Sequence, residues 1–154
     1  MLKKQYNFKD FIPLIALFGL VLACATLWTT IVAADLMRWM ELFMGFFFII
    51  FGALKAYNLR EFASAYSMYD IVAAKYAWYG YAYPFIELGL GVLYLFAVYP
   101  VTTNAVTLVV MLVSAWGVYR KLSSGEEIMC ACLGAVFNVP MTWVTLGDDL
   151  LMAA

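Results

Sequence analysis

Histidine does not occur in the 154 residues, and charge is scarce: nine Lys and Arg and ten Asp and Glu make up 12% of the chain. The first absence removes the commonest haem and zinc ligand and the side chain that most readily carries protons near neutral pH. Any chemistry must therefore rest on Cys, carboxylate, Lys or Tyr. The second absence, with the two signs nearly cancelling, excludes a nucleic-acid binder and a disordered tail. Neither a Gly-rich phosphate loop nor a Ser/His/Asp constellation is present. Cysteine occurs three times, as Cys24, Cys130 and Cys132, an odd number that cannot pair completely within one chain. What abounds is apolar: 67% of the residues are hydrophobic and the mean hydropathy is +0.91, where a soluble domain is about half apolar. The composition defines an all-α integral membrane protein with the lipid bilayer as its main partner. At roughly 20 residues per crossing, the length allows one membrane domain, residues 1–154.

The apolar runs are separated by charge. Residues 11–34, between Asp10 and Asp35, carry none, and the run is long enough to span and longer than a signal-peptide core. Lys3, Lys4 and Lys9 precede it, and Val21-Leu22-Ala23-Cys24 faintly resembles a lipoprotein cleavage box, but apolar sequence continuing past Cys24 favours a retained helix. A second helix is expected over about 36–57, with Arg38, Glu41 and Lys55 near its ends, where long side chains can reach the interface. Residues 58–75 are expected to form a partly helical connection along the interface. Tyr66, Tyr69, Tyr76, Trp78, Tyr79, Tyr81 and Tyr83 then suggest an aromatic belt at headgroup depth. The charge-free run from Leu88 to Tyr119 is too long for one crossing and contains Pro100, which splits it into helices at about 77–98 and 101–119 with a tight hairpin between them. After Ser123-Ser124-Gly125-Glu126-Glu127 come a cysteine-bearing turn at 128–134 and a short interfacial or half-spanning helix at 141–154, beyond Pro140 and containing Asp148 and Asp149. The expected architecture is a four-helix transmembrane bundle plus this short C-terminal helix. With the amino terminus inside, eight of the nine basic residues lie on the inner side and only Arg38 outside, so both termini are expected in the cytoplasm; the expected location is a bacterial inner membrane.

Cys130-Ala131-Cys132 is the main candidate for chemistry. On an α-helix residues two apart diverge by about 200°, so the thiols cooperate only on a turn, where they could form a strained, exchangeable disulfide or grip a soft metal ion. The bland reading is that buried cysteines are small hydrophobes; it is slightly favoured for Cys24 alone, whereas for the pair beside a polar break a functional role is favoured. Glu87, deep in the third long helix, must be protonated, paired or in a wet cavity, so it marks either a site or an interhelical tie. Lys55 is a candidate partner, although the sequence sets it nearer the inner surface. Met37, Met40 and Met44 share one helix face, which packing explains better than Cu(I) binding.

Phe46-Phe47-Phe48-Ile49-Ile50-Phe51-Gly52-Ala53-Leu54-Lys55, Tyr66-Ser67-Met68-Tyr69-Asp70, Tyr83-Pro84-Phe85-Ile86-Glu87 and Cys130-Ala131-Cys132-Leu133-Gly134 together resemble the MauE/DoxX-type redox-associated membrane proteins over roughly residues 36–154. The resemblance implies a small helical bundle. For the methylamine-utilisation members it implies work with a thioredoxin-like partner in making or sorting disulfides of an exported enzyme subunit. It marks Cys130, Cys132 and Glu87.

The expected function is a thiol–disulfide redox protein, an oxidoreductase if it turns over, in which Cys130 and Cys132 cycle with a thioredoxin-like redox protein while Cys24 or Glu87 assists. The alternative is a copper or mercury transporter in which Cys24, Cys130 and Cys132 are thiolate ligands. A structural subunit with incidental thiols is the third reading. The sequence does not identify a cofactor, nucleic acid is not a partner, and a homo-oligomer is compatible with the sequence.

Overall fold

The structure is a computed structural model that describes residues 8–125 and the backbone of residues 129–130 and 139–140. A 3-10 turn, Phe8–Phe11, leads into α1 (Ile12–Val32), followed by α2 (Leu36–Tyr57), α3 (Leu59–Tyr66), α4 (Ile71–Lys75), α5 (Ala77–Leu95) and α6 (Pro100–Ser123). The two-residue strands β1 (Met129–Cys130) and β2 (Val139–Pro140) pair antiparallel and are the sole addition to an otherwise helical fold among the described residues. The helix expected at 141–154 lies outside the described residues. Of the cysteine turn expected at 128–134, only Met129 and Cys130 are described, and their backbone is extended.

The helix ends follow local chemistry. Asp35 caps α2 by accepting from the Arg38 N–H at 3.0 Å, which satisfies a donor left over at the helix start. Asp70 caps α4 through the N–H groups of Val72 and Ala73. Pro13 and Pro100 sit in the first turns of α1 and α6, where a missing N–H costs nothing. The hairpin between α5 and α6 is as tight as expected: Ala97 and Tyr99 both take left-handed backbone (φ 50° and 46°). The carbonyls ending α5 are held by Arg38, whose guanidinium donates to Tyr94 O at 3.1 Å and to Leu95 O while pairing with Glu41 at 2.8 Å. A cation at a helix C-terminus is favoured by the helix dipole as well.

Three helices, α1, α2 and α6, are long and apolar enough to cross a membrane. Their outward faces carry Ile15, Leu27, Ile31, Val109 and Leu112, all exposed, as expected where the solvent is lipid. Met37 and Met40 are exposed on the same kind of surface. In α5, four tyrosines, Trp78, Pro84 and Glu87 dilute the apolar content, yet this helix is the most enclosed of the long ones and packs along α2. Glycine sets that seam. A Cβ on Gly91 would lie 2.9 Å from Ile49 Cγ1 and 3.0 Å from its backbone N, so only a hydrogen lets the two backbones approach this closely. Phe47, Phe48 and Phe51 fill the middle with Leu14, Val21, Leu90 and Tyr94.

One expectation needs correction. Residues 58–75 do not simply lie along an interface: α3 and α4 pack inward against the first half of α5, and Phe62, Tyr66, Tyr69, Ala73 and Tyr83 form a second core. Of the seven residues assigned to an aromatic belt, Tyr66, Tyr69 and Tyr83 are buried, whereas Tyr76, Trp78 and Tyr81 are exposed. The physical cause is local patterning: Phe62 and Tyr66 lie one turn apart on α3, and Tyr69, in the turn that follows, and Ala73, on α4, join them in the same core.

Candidate functional site: a buried ion pair under an aromatic lid

The last turn of α2 delivers Lys55 and the middle of α5 delivers Glu87, and their Nζ and Oε1 atoms stand 2.5 Å apart. Lys55 is 7% exposed and Glu87 1%. The register differs from the expected one, which set Lys55 nearer the inner surface than Glu87. Because α3 and α4 pack beside the first turns of α5, the helix starts below α2, and its midpoint comes level with the end of α2. Glu87 is thus neither an isolated carboxylate nor set apart from Lys55 by depth.

The pair is roofed by rings. Lys55 Nζ lies 5.2 Å from the Tyr83 ring centroid and 5.9 Å from that of Phe62, within cation–π range, where the attraction grows as water is excluded. Tyr83 packs on Tyr66 at 4.6 Å between centroids, and Tyr66 on Phe62 at 5.2 Å. Pro84, one turn before Glu87, has no N–H for the Gly80 carbonyl, and Gly80 brings α5 against Ala63 of α3. One polar atom is left over: Glu87 Oε2 is buried with no hydrogen-bond partner among the described residues. A buried carboxylate oxygen in this state has capacity to accept a proton or a hydrogen bond.

Beyond the rings the polar line continues. The Tyr66 hydroxyl donates to Asp70 Oδ2 at 2.9 Å, while Asp70 Oδ1 takes the two N–H groups of α4. Asp70 is fully buried and fully bonded. Burial, and then the neighbouring Tyr83 and Asp70, push the Tyr66 hydroxyl well above its ordinary value of 10.0, so it remains a neutral donor. Sequence reasoning did not single out Asp70. The available signal was Asp immediately before Ile71-Val72-Ala73-Ala74, the pattern of a helix N-cap.

Of the three cysteines, Cys24 is the one whose side chain is described. Cys24 has a free, half-buried thiol along α1, and no hydrogen bond joins it to Glu87. Cys130 is described by its backbone alone, in β1, which lies against α3, the helix that carries Phe62 and Tyr66. Cys132 lies outside the described residues. Cys130 and the ion pair are therefore both adjacent to α3.

Three helices of membrane-spanning length define a helical integral membrane protein with several spans. The chain belongs to the MauE family: the family model described as methylamine utilisation protein MauE matches residues 33–154. That range holds α2 to α6, Lys55, Glu87, Cys130 and Cys132, and leaves out Cys24. Searches of curated proteins and of solved structures return no match.

Proposed function

We propose that this chain is a membrane thiol–disulfide redox protein whose Cys130 and Cys132 exchange with a thioredoxin-like partner in the maturation of another protein. In the exchange, one thiolate of the pair attacks a sulfur of the partner's disulfide and forms a mixed disulfide. The second thiolate displaces the partner, which leaves as a dithiol, while the pair closes into a disulfide; the reverse sequence hands that disulfide on. Electrons balance between the two cysteine pairs, and the two thiol protons are taken up by the thiolates of the departing partner. The observation that carries the reading is that Cys130 lies on extended rather than helical backbone, so the roughly 200° divergence of a regular helix is not imposed at that residue. Membership of the MauE family supports it independently.

In this reading α5 crosses the membrane with α1, α2 and α6, giving a four-helix bundle in a bacterial inner membrane. Both ends of the chain face the cytoplasm. The charge distribution supports that orientation: Lys9, Lys55, Arg60, Lys75, Arg120 and Lys121 lie towards the end of the bundle that bears α3 and α4, and Arg38 towards the other. Glu87 is a positioning residue. Paired with Lys55, it fixes α2 to α5 beneath α3, against which β1 rests.

The test is thiol trapping with a mass-tagging alkylator on protein extracted from membranes. The expected result is a Cys130–Cys132 disulfide that a reduced thioredoxin-like protein opens, with a trapped mixed disulfide when either cysteine is replaced by Ser. Unchanged cellular function in both Cys130→Ser and Cys132→Ser overturns the proposal. Stoichiometric copper or mercury that is lost on the same replacements replaces it with a metal-carrying role.

A further inference from the structure

A cleft of about 540 Å³ opens between α4 and the end of α6, away from the ion pair. Lys75, Arg120 and Lys121 line it, Met68 and Ile71 form apolar walls, and Asp70 lies in its floor. Among the described residues Asp70 is the acidic member of this lining, and its carboxylate is already bonded to two backbone N–H groups and the Tyr66 hydroxyl. Lys75 and Arg120, set against this one enclosed, fully bonded carboxylate among the described residues, make a site for an anion. The last-turn carbonyls of α6 would oppose an anion, but Ser123 Oγ and Ser124 Oγ donate to Arg120 O and Lys121 O at 2.9 and 2.8 Å.

The outer face of α6 indicates which anion. Along this helix the exposed residues pass from Val109 and Leu112 to Trp116 and Tyr119, and then to Arg120 at the cleft. Apolar, aromatic and cationic surface follow in the order of acyl chain, interface and headgroup. Trp78, 67% exposed, and Tyr76 add exposed aromatic surface at the junction of α4 and α5. A free phosphate would use the cations alone. A phospholipid would use the whole gradient, with its tails along Val109 and Leu112 and its phosphate between Lys75 and Arg120.

We propose that this cleft binds the headgroup of an anionic phospholipid through its phosphate and its net negative charge. The site is independent of the thiol chemistry and survives if that reading fails. Basic pockets on the cytoplasmic side of membrane helices have the right chemistry for such headgroups.

The experiment is native mass spectrometry and thermal unfolding of the full chain in mild detergent, titrated with short-chain phosphatidylglycerol, phosphatidylcholine or free glycerol phosphate. Phosphatidylglycerol is expected to bind and raise the melting temperature, with the effect falling as salt rises. Phosphatidylcholine, whose choline offsets the phosphate, and free glycerol phosphate, which lacks tails, are expected to do neither. Lys75→Gln with Arg120→Gln should weaken phosphatidylglycerol by about fivefold for each cation removed. Lys75→Arg with Arg120→Lys should retain it, which separates loss of the site from loss of the fold. Equal binding of phosphatidylcholine, equal binding by the double Gln variant, or an equal shift with free glycerol phosphate overturns the assignment.

Discussion

Lys55 and Glu87 meet at 2.5 Å across the seam between α2 and α5, with Gly52 one turn before Lys55 and its hypothetical Cβ 3.3 Å from Glu87 Cβ. The close backbone approach and the ion pair are one feature, because two side chains of this length meet only where the helices are pressed together. Breaking a buried pair from one side leaves an uncompensated charge and costs about 3–5 kcal/mol, whereas replacing both partners by apolar residues of similar size is often neutral. Lys55→Met alone and Glu87→Leu alone should therefore each lower stability strongly, and the double replacement less than either. Thermal unfolding in detergent, followed by circular dichroism, measures this. Additive losses would mean that the two groups act separately.

Tyr66 and Asp70 give a pH dependence of definite sign. The folded Tyr66 holds its proton well above pH 10.0, whereas in the unfolded chain it titrates at about 10. Below that value both states are protonated and stability is flat. Above it the unfolded chain has fewer bound protons, so stability falls as pH rises until the folded group also ionises. Tyr66→Phe should reduce this alkaline loss by up to one proton's worth. At pH 7 the variant should be less stable by about 1–3 kcal/mol, because Asp70 Oδ2 loses its donor. Unfolding midpoints at pH 7 and above pH 10 test both statements, and an unchanged alkaline slope would remove Tyr66 from the account.

The long helices were legible because charges bracket their apolar runs: Asp35 opens α2 and Arg120 and Lys121 close α6, as the structure has them. The inward packing of α3 and α4 was less so. Ser64, Ser67, Arg60 and Glu61 make the segment polar on average, and an average hides the one-sided row of Phe62, Tyr66, Tyr69 and Ala73. Glu87 was legible as a site because an intramembrane carboxylate must be satisfied. Its partner was harder to read, since depth counted along the chain takes no account of the offset that α3 and α4 impose on α5. For Cys130 and Cys132 the sequence set a geometric condition, a turn, of which the structure describes only the extended backbone at Met129 and Cys130. The pairing with Cys132 lies outside the described residues.

Gly91 offers a test of the seam itself. Ala at this position would place a methyl 2.9 Å from Ile49 Cγ1 and 3.0 Å from its backbone N. The side chain could move, but the backbone atom moves only with α2. Gly91→Ala is thus expected to lower stability by about 1–3 kcal/mol, and adding Ile49→Ala should restore only part of the loss. Gly89, with open space around its hypothetical Cβ, is the control: Gly89→Ala should be neutral or stabilising, since Ala is the better helix former by about 1 kcal/mol. Equal melting temperatures for the two Ala variants would show that α2 and α5 are not pressed together at Ile49.

The hairpin after α5 makes the opposite demand on the same pair of residue types. Ala97 holds φ at 50° and Ala33, at the end of α1, holds it at 51°. Left-handed backbone costs an L-residue roughly 1–2 kcal/mol, which glycine avoids. Glycine in turn loses more freedom on folding, by about 0.5–1 kcal/mol. The difference favours Ala97→Gly and Ala33→Gly by up to about 1 kcal/mol each. Ala105, exposed within α6, should respond with the other sign, since Gly in a helix interior is about 1 kcal/mol worse than Ala. Melting temperatures of the three variants check the contrast. A fall for Ala97→Gly as large as that for Ala105→Gly would mean that residue 97 does not hold left-handed backbone in the folded protein.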